Sequence, residues 1–146
     1  MARTFSRAFP RNLIDSLSTL AIKRGVGPSC RYLVTVAGRN TGVPHTTPVS
    51  LVVDGANRYL VGPYGEVGWV RNARAAGVLT LSRAGRSEEC TAEALDAANA
   101  APILKLYLKL EPVTRPYFDV GADASQDALV REAATHPVFR LKPRTS

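Results

Sequence analysis

The sequence predicts a mainly β domain with peripheral helices, an α+β fold of about six antiparallel strands. Three observations carry that expectation: short runs rich in β-branched and aromatic residues (YLVTVA, TTPVSLVV, VLTLSR), Gly- and Asn-bearing turns between them, and helical periodicity limited to short stretches. The 146 residues match the usual size of one domain, and 45% hydrophobic content is enough to bury a core. Residues 1–146 are therefore expected to form a single domain.

The elements follow in order. Residues 11–24 (RNLIDSLSTLAIKR) place Leu13, Leu17, Leu20 and Ala21 at helical spacing, with Pro10 before the start and GVGP as the stop, which predicts an amphipathic helix. From Arg31 the pattern turns to β: YLVTVA, the turn-rich GRNTGVP, TTPVSLVV, the DGAN turn and RYLVG predict a three-strand meander. Pro48 cannot donate a ladder hydrogen bond, so it points to an edge, a bulge or backbone that faces a ligand. In PYGEVGWVRNARAAG, Trp69, Val70 and Ala73 share a helical face and Gly77 supplies a left-handed stop, predicting a short helix over 67–76. VLTLSR and SEECTAEAL, joined by AGR, predict a hairpin with Ser87, Glu88, Glu89 and Glu93 on a polar outer face. PILKLYLKL alternates leucines like a strand, yet Pro102 suits a first helical turn and Ile103, Leu106, Tyr107 and Leu110 share a helical face, so a helix is expected. A second helix at about 124–134 and a last strand HPVFRL complete the fold, with the helices outside the sheet.

Composition narrows the function. No stretch approaches the roughly 20 apolar residues of a membrane-spanning helix, and MARTFSRAFPRN lacks the apolar middle of a secretory signal. Cys30 and Cys90 form no CxxC pair, so reduced thiols and a cytoplasmic location are expected. The net charge of +7 is uneven: residues 1–45 carry seven Lys/Arg against Asp15 alone, and the rest twelve against eleven acids. That asymmetry suggests an anionic partner, either a phosphate-bearing cofactor, a membrane surface or a nucleic acid, against the alternative of a solvated basic tail. Nucleic acid is disfavoured because neither aromatic stacking runs nor a reading helix are present. The basic face of the N-terminal helix (Arg11, Asn12, Lys23, Arg24) allows peripheral contact with the inner face of the cell membrane, with packing on the barrel as the alternative.

Two segments carry candidate chemistry. In GRNTGVPHTTPVS, Arg39 can bind a phosphate bidentately, the glycines admit close backbone N–H approach, and Thr46, Thr47 and Ser50 add neutral donors, with His45 as a further ring N–H. An ordinary polar hairpin loop is the competing reading. In GPYGEVGWVRN, a glycine-rich loop runs into a helix whose first N–H groups lack intrahelical partners and attract anions. Trp69 and Tyr64 offer flat surfaces for a conjugated ring, and Asn72 can reach back toward the loop, although a buried Trp is more often core. No metal site is expected, since His45 and His136 are the only histidines and neither has a ligand partner at metal spacing. GxSxG, Walker and GxGxxG motifs are also missing.

Together the two segments resemble the deazaflavin-dependent nitroreductase family, whose members bind coenzyme F420 on a split β-barrel of the FMN-binding-like kind. The family shows a strand, a GR(K/R)(S/T)G-x-P-(R/x)-TTP loop and then a helix start containing W-x-x-N. Here these read TVAGRNTGVPHTTPV and GWVRN, followed by ARAAG, and the resemblance is strong over residues 30–95. It implies that Arg39, Asn40 and Thr41, with His45, Thr46, Thr47, Pro48, Val49 and Ser50, hold the phosphate and lactyl tail and line the deazaflavin. Gly62, Pro63, Tyr64 and Gly65 would border the ring, and Gly68, Trp69, Val70, Arg71 and Asn72 would supply contacts at the helix start. Relatives often carry a second base at the Asn40 position, an arginine at the His45 position and a lysine near Pro63. This chain has none of these, and Arg71 and Arg74 are candidates to compensate.

The implied activity is that of an F420H2-dependent oxidoreductase of the nitroreductase or quinone reductase type, passing hydride to a small organic acceptor such as a quinone or nitroaromatic. Tyr64 and Tyr117 are candidate proton donors, with packing as the alternative for each. Other readings are an FMN-binding or haem-ligand variant of the fold, or a membrane-associated lipid- or fatty-acid-binding barrel without turnover. Monomer and homodimer are both compatible with the sequence.

Overall fold

A computed structural model of the chain describes residues 19–25, 29–111, 114 and 118–144. Residues 19–23 are helical (α1), followed by β1 (Arg31–Ala37), β2 (Pro44–Asp54), β3 (Asn57–Val61), α2 (Gly68–Ala76), β4 (Val78–Arg83), β5 (Arg86–Ala94), α3 (Ala97–Leu110), α4 (Gln126–Glu132) and β6 (Val138–Pro143). The six strands close into an antiparallel barrel in the order β1-β2-β3-β6-β5-β4. Most of the expected helix over 11–24 lies outside the described residues. Its last turn ends where GVGP required, with Gly25 at φ 73° beside Ala84, whose N–H donates to the Ile22 carbonyl at 3.1 Å.

Strand alternation sorts the apolar residues into two cores. Val34, Val36, Leu51, Leu60, Leu79, Leu81, Cys90, Phe139 and Leu141 fill the barrel interior, and Val52, Tyr59, Val61 and Val138 face outward against α3 and α4. The helices are not all outside, as expected from sequence. Trp69, Val70 and Ala73 of α2 belong to the interior core, so α2 plugs the barrel while α3 and α4 cover its wall. Trp69 takes the core position that was its alternative reading, 6.1 Å between ring centroids from Phe139.

The β4–β5 turn places Ala84 and Gly85 at φ 53° and 79°, the two-residue hairpin geometry whose twist matches that of the strands. α3 begins earlier than expected: the Asp96 side chain accepts from the Asn99 N–H at 2.9 Å and caps it, so Pro102 is interior rather than in the first turn. Proline cannot donate to the Ala98 carbonyl one turn back. Gln126 Nε2 donates to that carbonyl at 3.2 Å instead and ties α4 to α3.

Pro48 pairs with Leu33 in the half of β2, residues 44–50, that has β1 as its strand partner; β3 pairs with β2 only over Leu51–Asp54. The missing N–H at Pro48 thus falls on a locally open flank of a closed barrel, where it costs little.

His136 is buried under the wall, stacked on Phe118 with centroids 3.9 Å apart, and its Nδ1 lacks a partner among the described residues. Burial pushes its pKa down, outweighing the Glu132 carboxylate, which pulls it up. Because the unfolded chain then binds the proton more readily, stability falls as pH drops through the ordinary histidine range near 6.5 toward the lower folded value. Urea unfolding should show wild-type stability lower at pH 5.5 than at pH 7.5, with a smaller difference in His136→Gln.

Candidate functional site

The β1–β2 loop is tied on itself. Gly38 N–H donates to the Val43 carbonyl and Gly42 N–H to the Gly38 carbonyl, both at 2.8 Å, with Gly42 at φ 76°. A Cβ at Gly38 would meet Val43 O, Thr41 Oγ1 and His45 Nε2 within 3.1–3.2 Å, so a larger residue there would push these groups outward. Arg39, Asn40, Thr41, His45 and Thr46 are exposed.

Arg39 does not wave free. Its backbone N–H and its Nη1 both donate to Asn72 Oδ1, at 3.1 and 2.8 Å, joining the loop to the buried third position after Trp69 on α2. The two segments singled out from sequence thus meet through one side-chain oxygen. α2 offers an anion its N-terminus: the N-cap Val67 makes no side-chain cap, the first turn carries no acid, and a Cβ at Gly68 would meet nothing within 4 Å. Space and uncapped N–H groups therefore sit on the helix that holds Arg39.

Of the compensating bases, Arg74 is committed elsewhere, at 2.6 Å from Glu66 and 5.6 Å above the Phe139 ring. Arg71 is exposed. Arg31, Arg58 and Arg144 are neutralised by Glu111, Glu88 and Glu89, whereas among the described residues no carboxylate pairs with Arg39. The Val70 side chain is fully buried, so only its backbone groups can serve a ligand, while Trp69 is 7% exposed.

β2 divides its expected contacts between two faces. Val49 packs on the interior core, while Ser50 and Val52 face outward, and Thr46 and Pro48 share that outward parity. Thr46 Oγ1 lies 2.8 Å from Thr35 Oγ1 on this face. Thr46, Pro48 and Ser50 therefore lie on the outward face of the wall, and Thr47 and Val49 on the inward one. The Gly62–Gly65 turn lies alongside, with Gly62 N–H donating to the Pro137 carbonyl at 2.8 Å. Gly62 and Pro63 are buried and Tyr64 is half-buried, and a Cβ at Gly62 would strike Val70 Cγ2 at 2.9 Å. Tyr117 lies outside the described residues.

Sequence reading missed the polar cluster at the end of this row. Glu111, buried just after α3, accepts from Ser50 Oγ at 2.6 Å and pairs with Arg31 Nη2 at 2.9 Å. Nearby, burial drives the Tyr107 phenol pKa strongly upward, so that hydroxyl stays protonated. The available signal was a lone acid closing the apolar run LYLKLE. Removing it strands Ser50 and a partly buried Arg31; Glu111→Ala should cost about 2–3 kcal/mol in urea unfolding, and Glu111→Gln less.

Comparison with known proteins places this geometry. The family model for the F420H(2)-dependent quinone reductase matches residues 22–122. A solved structure described as an F420-H2 dependent reductase (FDR-A) is 17% identical, with a TM-score of 0.56 over 78% of this chain and 95% of that one. A second, described as an F420 reductase, is 14% identical over 86% and 92% of the two chains, with a TM-score of 0.50. A third, described as a domain-swapped dimer, is 16% identical over 91% and 99%, with a TM-score of 0.57. These similarities show the split β-barrel, FMN-binding-like fold. No curated protein matches the sequence.

Proposed function

Since the chain belongs to the F420H(2)-dependent quinone reductase family, with F420 as its cofactor, we propose that it seats the F420 phosphate between Arg39 and the start of α2 and reduces a quinone. The observation that carries this reading is the Arg39 guanidinium, fixed by Asn72 and left uncancelled beside uncapped helix N–H groups. Arginine binds a phosphate through paired N–H donors, and a helix N-terminus adds partial positive charge. Among the described residues no other arginine of this region combines a fixed position with an unneutralised charge.

The remaining contacts follow from the wall of β2. Asn40, Thr41 and His45 would complete the tail contacts beside Arg39. Thr46, Pro48 and Ser50 would lie under the deazaflavin, with Gly62, Pro63, Tyr64 and Gly65 along its border and Gly68 and Arg71 at the helix start. The locally open flank of β2 leaves backbone groups available there. The glycines matter because they let a planar ring approach the backbone.

Bound reduced deazaflavin supplies a hydride from C5. The chain's own part is to bind the phosphate, orient the ring and exclude water from its face. The Tyr64 hydroxyl can hand a proton to a reduced quinone oxygen. No acid–base dyad is required, which accounts for the modest inventory of acid–base groups around the loop. Nitro compounds are a second acceptor class for the same transfer.

An apolar groove of about 470 Å³ between β1, β2 and the end of α3, lined by Tyr32, Val52, Val53, Leu106 and Leu110 among others, favours a second reading as a fatty-acid or lipid site. Displacement of a fluorescent fatty acid would test it.

Fluorescence titration with F420 should give saturable binding, weakened about 10- to 100-fold in Arg39→Ala, the loss of a charge-assisted phosphate contact. F420H2 oxidation should accelerate on adding a quinone. Absence of wild-type F420 binding would overturn the reading.

A further inference from the structure

We propose that Asn72 is a positioning residue that acts through Arg39, fixing the guanidinium without cancelling its charge, and is not itself a cofactor contact. The inference rests on the phosphate reading above. Sequence reasoning placed Asn72 among the cofactor-binding residues, but its Oδ1 is occupied by two donors of Arg39, at 3.1 and 2.8 Å, and the side chain is only 5% exposed.

The residue type is the informative part. An arginine on a loop tip needs an acceptor to hold it, because its long side chain otherwise loses conformational freedom on binding. Arg140 is held by the Asn57 amide oxygen and Arg83 by the Arg31 and Gly25 backbone carbonyls, but the ion-paired arginines use a carboxylate: Glu111 holds Arg31, Glu88 holds Arg58, Glu66 holds Arg74 and Glu89 holds Arg144. Each such partner also neutralises the cation. At Arg39 the acceptor is a neutral amide oxygen, which gives the same hydrogen-bond geometry and leaves the full charge for an incoming anion. One oxygen also holds the Arg39 backbone, so loop and side chain are set together. The guanidinium has five donors, and binding Nη1 leaves Nη2 and Nε as a fork.

Asn72→Asp keeps both accepted hydrogen bonds while cancelling the cation and removing the Nδ2 donor. A double-mutant cycle with Arg39, run in any case, tells loss of charge at Arg39 from loss of a direct Nδ2 contact. Binding of F420 and of its phosphate-free deazaflavin ribityl chromophore would be titrated by fluorescence at low and high salt, alongside the melting temperature. The expected result is a melting temperature at or above that of wild type, unchanged affinity for the chromophore, at least tenfold weaker F420 binding, and a smaller salt dependence. Wild-type F420 affinity in Asn72→Asp would overturn the proposal, because hydrogen-bond geometry alone would then be its role. Equal weakening toward both ligands would also overturn it, placing Asn72 on the ring side or in the fold. Wild-type protein that binds both ligands equally would instead defeat the underlying phosphate reading, and Asn72's role with it.

The double-mutant cycle also decides if Asn72→Asp does not fold. Asn72→Ala should weaken F420 binding at least fivefold when Arg39 is present and have no effect in Arg39→Ala. Additive losses would contradict action through Arg39.

Discussion

A six-stranded barrel has no room inside for a ligand once its side chains are in place, and every functional feature of this protein follows from that. Val34, Leu60, Leu81 and Phe139 fill the interior, and Val70 of α2 seals it. A cofactor must therefore lie on the wall or at the rim. The wall is covered by α3 and α4 over β3, β6 and residues 50–52 of β2, which leaves the outward face of β2 open only over residues 44–48. There the sheet is also incomplete, because residues 44–50 pair on the β1 side and β3 joins only from Leu51. The split in the barrel and the candidate site are the same feature seen from two sides.

Plugging the barrel with α2 has a second consequence. The apolar face of that helix is spent on the core, which fixes its axis and aims its uncapped N-terminus at the rim. Asn72 lies one turn from that end, and through it the β1–β2 loop is drawn onto the helix. Stability and binding thus share one element. The electrostatics are sparing in the same way: Arg31, Arg58 and Arg144 are neutralised by carboxylates, and Arg39 at the loop tip is held by an amide. A protein that borrows its redox chemistry from a cofactor needs little more than this selective placement of charge and a shielded ring face.

Much of the architecture was legible in the sequence because it is written locally. Strand runs with period-2 burial, the Gly77 stop of α2, the AGR hairpin turn and the HPVFRL strand each depend on neighbours within a few residues. The two site segments could be picked out for the same reason, as a glycine-rich loop and a helix start. What escaped depends on partners distant in the chain. Pro102 looked like a helix start because its relief by Gln126, 28 residues apart by the hydrogen-bonded pair Gln126–Ala98, has no local signature. Glu111 gains its place from Ser50 and Arg31, 61 and 80 residues away. The helical face of Trp69, Val70 and Ala73 was legible too, but a helical face does not announce what it meets, and its place inside the barrel had no local signature.

The proposed seat of the F420 phosphate is between the Arg39 loop and the start of α2. A crystal structure of the protein with F420 tests it most directly. Phosphate oxygens are expected within hydrogen-bond distance of the Arg39 guanidinium and of a first-turn N–H of α2, with the Arg39–Asn72 contact intact. A phosphate seated elsewhere, with Arg39 turned to solvent, would contradict it.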